Sequence, residues 1–570
     1  MDHGHEHPHE GPHEGDLDPA GATHLDPTVP DSALAPGPLA RRNFLQRAGL
    51  LGAGIAGASV LGATSAAAGV TPADSRRQSR RAPRHGYQWL AGDHHIHTQY
   101  SSDGMYRVAD QTVHAAAFGL DWIVITDHGS VTHSRIGVEK VNPDIVAARA
   151  AFEDDVLVFQ GLEWNIPGAE HGTVFVHPGK QEVAVLKEFE KSFDGTVNAW
   201  TDSTLDNERH ALEGLDFLAA SVTSRRVEGA MFFANHPARR GVDSPHEIRG
   251  WRDRQPSVAL GMEGAPGHQA AGIPEPRGPG AGRGFYDNPQ SANSFAGYPP
   301  ESYVTWGGFD WMTATVGGLW DSLLAEGKPW WVTANSDSHS VYLDTSVRGP
   351  GGDFTANGRY NDPVHGGTPN QSAGDFWPGY FSRTHVGSKD FSYAAVMDGL
   401  RAGRVWVDHG GLLDSLDVQV REAGTKAEGY SLGSVVMPSK GKALELAISI
   451  QTASLPNWAE FVPRLAKVDV ILGAVTGASP DRDTFRAPGT KVVRTFDVSD
   501  RSGRVELTHP LGRSVDPFYV RLRGSDGKRL QPGSNGASTD PAGPAVDVLG
   551  QADPWTDLWF YTNPIWVLPG

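Results

Sequence analysis

The sequence predicts an α/β sheet or barrel followed by an all-β sandwich. Two changes of texture carry that prediction. From Tyr87 to about Val407, short apolar runs alternate with helical patterns, the order expected of strands joined by crossover helices. From about Leu412 the helical pattern stops, and short strands follow one another between Gly, Pro, Asp and Ser turns. A third observation sets the start: the leading segment shows neither pattern. The chain divides accordingly into residues 1–40, 41–68, 69–86, 87–410 and 411–570.

Residues 1–40 are rich in Asp, Glu, Pro, Gly and His and read as a disordered acidic leader, since such a composition cannot build a core. Six histidines in the first 24 positions (His3, His5, His7, His9, His13 and His24) would also suit loose metal scavenging. Arg41-Arg42-Asn43-Phe44-Leu45 then precedes a soft, glycine-interrupted apolar run that ends in Ala66-Ala67-Ala68. Residues 41–68 resemble a twin-arginine signal peptide. That resemblance implies the twin-arginine translocase as a partner and a secreted, periplasmic or cell-wall-side location. Residues 69–86, with Arg76, Arg77, Arg80, Arg81 and Arg84, read as a basic linker. Beyond the signal, no apolar run is long enough to suggest a membrane span.

In the α/β part, strands are expected at Asp121–Thr126, Val156–Gln160, Thr173–Val176, Ala230–Ala234, Val258–Met262 and Trp330–Ala334, runs enriched in Val, Ile, Phe and Trp. Helical spacing predicts helices over Ala109–Phe118, Pro143–Phe152, Thr204–Ser224, Phe309–Ala325 and Tyr393–Ala402. Strands of the sandwich are expected at Leu416–Val420, Leu444–Ile450, Val468–Ile471, Val492–Phe496, Arg504–Leu507, Phe518–Arg523 and Trp559–Val567. Residues 264–306 and 341–385, dense in Gly, Pro, Asn, Tyr and Trp, read as long loops, either pocket walls or surface insertions.

Composition narrows the chemistry. With 67 acidic against 49 basic side chains, the surface does not suit nucleic acid. The absence of cysteine excludes disulfides, thiolate metal sites and a cysteine nucleophile. Any metal must sit on the carboxylates and the 24 histidines.

Polar residues recur where apolar runs stop. His95 and His97, two apart on an extended segment, face the same way, with Asp103 a few residues on. His128 closes the run Asp121–Thr126, Glu163 follows Val156–Gln160, and His171 opens the next short strand. His236 ends Ala230–Ala234, and Asp337 and His339 follow Trp330–Ala334 at a spacing of two. Taken singly, each is a turn, a cap or a satisfied core residue. Together they would require as many separate hydrogen-bond solutions for buried polar groups, whereas one polynuclear metal centre accounts for them all.

In order, His95-x-His97-Thr98, Ser102-Asp103-Gly104, Thr126-Asp127-His128, Gly161-x-Glu163, Asn235-His236-Pro237 and Ser336-Asp337-x-His339 resemble the motifs of the polymerase-and-histidinol-phosphatase (PHP) superfamily over about residues 87–407. Gly399–Val407 and Thr562–Val567 are similar to the CehA/McbA subgroup, named after carbaryl hydrolases. The resemblance implies a distorted (β/α)7 barrel with two or three divalent ions (Zn, Mn or Fe) at the strand ends. Carried over, His95, His97, Glu163 and Asp337 would hold one ion. Glu163 would bridge to a second, completed by His171 and His236. Asp103, His128 and His339 would hold a third. His177 competes with His171, and His94 stands where the family usually has an apolar residue.

That ligand set implies a metal-bridging hydroxide that attacks phosphorus or an acyl carbon. Arginines would stabilise the charge that develops, the candidates being Arg135, Arg239, Arg240 and Arg383. His268 and His385, in the long loops, could protonate a leaving group. Arg383, Arg239 and His268 stand as the catalytic candidates. The expected function is an exported metal-dependent phosphoesterase acting on a small phosphate ester. Two alternatives stand beside it: a carbamate, ester or amide hydrolase, and a non-catalytic exported binding protein.

Overall fold

The computed structural model describes residues 86–288, 290–439, 441–513, 515–532 and 539–569. The expected leader, the signal and the linker up to residue 85 lie outside the described residues. The architecture is mixed α/β. Seven strands lie side by side in chain order: β1 (Gln88–Asp93), β2 (Trp122–Ile125), β3 (Leu157–Asn165), β4 (His171–Val176), β5 (Ala230–Ala234), β6 (Ala259–Ala265) and β7 (Trp331–Ala334). Strands β1, β2 and β3 pair in parallel, as do β5, β6 and β7, while β4 runs antiparallel to both its neighbours. The chain leaving β7 meets the chain leaving β1. Ile96 and Ser338 form a parallel bridge, His97 N–H donates to the Ser338 carbonyl, and Asp337 N–H donates to that of His95. The ends of the two outermost strands of this run are thereby brought to the same rim.

These strands form because their residues are β-branched or aromatic and buried on both faces, as in Trp122-Ile123-Val124-Ile125. The helix over Leu205–Thr223 starts where the Thr204 hydroxyl accepts from Asn207 N–H, and it buries Ala211, Leu215 and Leu218. Two helices absent from the sequence reading, Glu182–Phe193 and Pro245–Arg254, complete the packing. The second carries a Ser244/Glu247 capping box with proline at its first turn, a signal the sequence held. Two expected helices differ. Val138–Ala151 begins five residues before Pro143 and contains it. Phe309–Ala325 breaks into Trp311–Ala314 and Leu319–Ala325, because Gly317 takes φ +75°, a conformation no helix can include.

The C-terminal part is not an independent sandwich. Leu413–Glu422, Leu444–Thr452 and Arg504–Gly512 form a separate antiparallel sheet. It packs Leu416, Val418, Leu446 and Ile448 into one core with Val468, Val470, Val520 and Leu522 from the strands Lys467–Ala474 and Phe518–Ser525. Those latter strands belong to the same sheet as β1. Ser382–Ser388 pairs with β1, Val405–His409 pairs with Ser382–Ser388, and Trp559–Thr562 joins Val405–His409 to Phe518–Ser525. The loop expected over 341–385 thus ends in a strand. Its polar sequence, Ser-Arg-Thr-His-Val-Gly-Ser, is buried at every position, so no alternation betrays it. Buried Arg521 and Asp321 join the two parts through paired bonds of 2.8 and 2.7 Å.

Candidate metal centre

All the strand-end residues reach one rim. β4 runs opposite to β3 and β5, so its first residue, His171, lies beside the last residues of its neighbours, Asn165 and, through Gly172, Ala234. The ends of β1 and β2 are knitted by carboxylates that spend themselves on backbone donors. Asp93 accepts from His95 N–H and Ser336 N–H, each at 3.0 Å, and Asp127 accepts from Thr98 N–H at 2.7 Å. Non-glycine residues in the left-handed region concentrate here: His236 at φ 31°, Asp337 at 48° and His268 at 54°. Strained backbone of this kind persists where surrounding contacts over-determine it.

Glu163 and Asp337 sit among the imidazoles. Glu163 Oε1 lies 3.2 Å from His95 Nε2, 3.1 Å from His171 Nδ1 and 3.4 Å from His236 Nε2. Its Oε2 lies 3.3 Å from His97 Nε2 and 3.7 Å from His128 Nε2. Asp337 Oδ1 is 3.1 Å from Nε2 of both His95 and His97. His339 Nε2 approaches Asp103 Oδ2 at 3.5 Å, and its ring stacks on His97. The structure therefore brings together all nine side chains His95, His97, Asp103, His128, Glu163, His171, His236, Asp337 and His339. Donor atoms within 4.8 Å of one another fall into the groups His95/His97/Asp337, His97/Asp103/His339, His128/Glu163/His171 and His268/His339/Asp375. This partition differs from the one carried over from the family motifs. His97 belongs both to the His95/Asp337 group and to the Asp103/His339 group, and His128 lies with Glu163 and His171. His177 is elsewhere, its Nδ1 against the Pro178 carbonyl and its Nε2 3.6 Å from Glu228.

The donors fit divalent cations. His236 Nδ1 is buried and hydrogen-bonded to nothing among the described residues, an expense folded proteins rarely tolerate. Burial alone would neutralise the acids, yet His95, His171 and His128 hold Glu163 well below the usual carboxylate range, and His268, His95 and His339 do the same for Asp337. Burial likewise works against His97, but hydrogen bonds to Asp337 and Glu163 raise it to about 10. His128 is pushed down to about 4 by burial with His171 and His97 nearby, and His236 is lowered by burial and Arg239. Protons thus occupy part of a site whose oxygen and nitrogen donors could hold metal ions.

Several supporting residues were not singled out in the sequence. Glu263, at the end of β6, bonds His95 Nδ1 at 2.8 Å and so aims Nε2 at the cluster. The signal was present, a carboxylate closing an apolar run, as at Glu163. Asn235 Nδ2 donates to Glu163 Oε1 at 3.2 Å. His94, noted in the sequence for standing where the family usually has an apolar residue, is fully buried between the hydroxyls of Thr173 and Thr333. Asp375 and Glu170 come from loops, where no periodicity marks them.

The catalytic candidates fare unequally. Arg239 reaches the cluster: its Nη2 lies 3.3 Å from Glu170, and its charge, held up by Glu170, Asp337 and Glu163 against burial, is felt by the ligand carboxylates. Arg383 is buried in the sheet, with Nε donating to the Gly379 carbonyl, and its backbone pairs with Asp408. Arg135 donates outward to the Thr355 carbonyl. His385 bonds Asp408 at 2.8 Å and stacks on Trp406, away from the cluster. His268 enters the cluster, but both ring nitrogens are engaged by carboxylates, Nε2 with Asp337 at 2.8 Å and Nδ1 with Asp375 at 2.5 Å.

Fold and site define a mixed α/β protein whose His, Asp and Glu groups could hold metal ions at strand ends. Residues 93–245 match the PHP domain. No curated protein matches the chain. Among solved structures, the chain is similar to a two-domain protein from Bacteroides vulgatus described as containing a predicted PHP-like metal-dependent phosphoesterase. Identity is 14%, over 77% of this chain and 91% of that one, with a TM-score of 0.29. No helix among the described residues is long and apolar enough to cross a membrane.

Proposed function

We propose that this chain is an exported metal-dependent hydrolase that cleaves a small phosphate ester. The observation that carries the reading is the convergence of five imidazoles on Glu163, beside an Asp337 oxygen that lies 3.1 Å from two of them. His95, His97, Glu163 and Asp337 would hold one ion, Glu163 with His128, His171 and His236 a second, and Asp103 and His339 would lie on a third. Divalent ions bound there would supply Lewis acidity and a nucleophile at neutral pH.

The chain's own groups do the rest. Glu263 fixes the His95 ring and Asn235 orients Glu163. Arg239, beside Glu170, can turn its guanidinium to an anionic oxygen of the substrate and stabilise charge that grows on it. Burial of His95, His97, Glu163, His236 and Asp337 lowers the local dielectric and strengthens each of these interactions.

Loading of the chelator-stripped chain with Zn, Mn or Fe, followed by a panel of phosphomonoesters, phosphodiesters, aryl carbamates and carboxylic esters, tests the reading. Turnover of a phosphate ester is expected. Turnover of carbamates or esters alone would shift the assignment to the runner-up, a carbamate, ester or amide hydrolase. One observation favours that second reading: of the candidate arginines, Arg383 and Arg135 turn to backbone carbonyls, and Arg239 already faces Glu170. If His95→Ala with His97→Ala left metal content and turnover unchanged, this cluster would not be the catalytic centre, and a chain with no turnover of any ester would be left with a binding role. Export rests on the Arg41-Arg42-Asn43-Phe44-Leu45 signal, and a paired Arg→Lys change there should retain the protein inside the cell.

A further inference from the structure

His268 and Asp375 come from the two long loops, at residues 264–306 and 341–385, yet they meet at a ligand. The His268 ring spans two carboxylates: Nε2 lies 2.8 Å from Asp337 Oδ2 and Nδ1 lies 2.5 Å from Asp375 Oδ1. The other oxygen of Asp375 is committed, accepting His339 N–H at 2.6 Å and Ser340 N–H at 2.8 Å. Asp375 is therefore tied to the backbone that follows Asp337, and through His268 to Asp337 itself. The approach is close enough to demand glycine: a Cβ on Gly267 would lie 2.1 Å from Asp337 Cβ and 2.4 Å from the Ser336 carbonyl. His268 itself is held in the left-handed region at φ 54°, where a non-glycine residue is strained.

Both loops are braced from the C-terminal part. Buried Arg283, on the first loop, reaches Asp557 at 3.3 Å, and the Thr305 hydroxyl donates to Asp547 at 2.8 Å. Tyr380, on the second, donates to the Trp458 carbonyl at 3.0 Å.

We propose that His268 is a positioning residue. Clamped by Asp375, it occupies Oδ2 of Asp337, so that Oδ1 alone faces His95 and His97 and the carboxylate binds its ion through one oxygen. The C-terminal part then serves the centre by holding the two loops in register. This inference rests on the metal-site reading above.

The test uses Co(II), whose visible absorption reports coordination number, added to the stripped full chain, to His268→Ala and to His268→Gln, whose amide can still donate near the Nε2 position. Three quantities are read: ions bound per chain, affinity and spectrum. For His268→Ala, the same number of ions is expected, with affinity weaker by about 10–100-fold, the usual effect of losing a partner of a ligand, and weaker visible bands as Asp337 becomes bidentate. His268→Gln should recover most of the wild-type spectrum. Circular dichroism on each variant separates misfolding from these effects, and His268→Gln carries the comparison if the alanine variant misfolds. An unchanged spectrum and affinity in both variants would overturn the proposal. Loss of one bound ion would overturn it in favour of a direct ligand. Failure of the wild-type chain to bind Co(II) at all would instead refute the metal-site reading.

Discussion

Glutamine in place of Glu163 keeps the side chain's shape and removes one charge from the point where five imidazoles meet. In the wild-type chain the two carboxylate oxygens lie 3.1–3.7 Å from nitrogens of His95, His97, His128, His171 and His236. A unit charge acting over about 4 Å at an effective dielectric constant of ~20 interacts with about 4 kcal/mol. Asp337 remains, and the amide oxygen can keep the bond to Asn235, so a loss of about 2 kcal/mol is the conservative figure. That corresponds to affinity weaker by roughly 30-fold for each ion that touches Glu163. Zinc titration of the stripped chain against a chromophoric chelator measures this directly. Two ions should weaken together in Glu163→Gln, since Glu163 stands between the His95/His97 pair and the His171/His236 pair. A folded Glu163→Gln variant that matched wild-type stoichiometry and affinity would refute the premise that this carboxylate lies between ions.

Four further outcomes follow from the structure. His97, raised to about 10 by Asp337 and Glu163 against burial, must shed its proton to bind an ion. Affinity should therefore rise with pH, and calorimetry at pH 7 in buffers of different ionisation enthalpy should show proton release. For the metal-free fold the sign reverses. The contribution of the His97 proton is complete below the ordinary value of 6.5 and fades as pH climbs toward 10, so the melting temperature of the chelated chain should fall between pH 7 and pH 9. Arg239→Ala should cut phosphoester kcat/KM by about 10–10³-fold, while Arg239→Lys retains part of it, in steady-state assays. Asp321→Ala strands the buried Arg521, which its carboxylate grips at 2.8 and 2.7 Å. It should cost about 3–5 kcal/mol in denaturant unfolding, with both parts of the chain lost in one transition.

The strand ends were legible in the sequence because a buried strand is a run of apolar residues, and a histidine or acid that interrupts it stands out. His128, Glu163, His236 and Asp337 were found that way. Glu263 carried the same signal. Asp375, His268 and Glu170 did not, since loop residues have no period against which a polar group is conspicuous. Arg383 and His385 looked like loop residues near the centre, but they lie on the polar strand Ser382–Ser388, which is buried throughout.

The sequence by itself determined which segments are apolar, where each run stops and which donor atoms stand there, because these depend on local composition and spacing. Only the tertiary structure decided which strands pair. The C-terminal strands extend the sheet of β1 through Val405–His409, and that pairing joins residues more than 150 positions apart. It also decided how His97 and His128 are shared among the donor groups, and that two distant loops meet at Asp337. Those outcomes depend on backbone hydrogen bonds and close approach between segments far apart in the chain, for which no single stretch of residues holds the information.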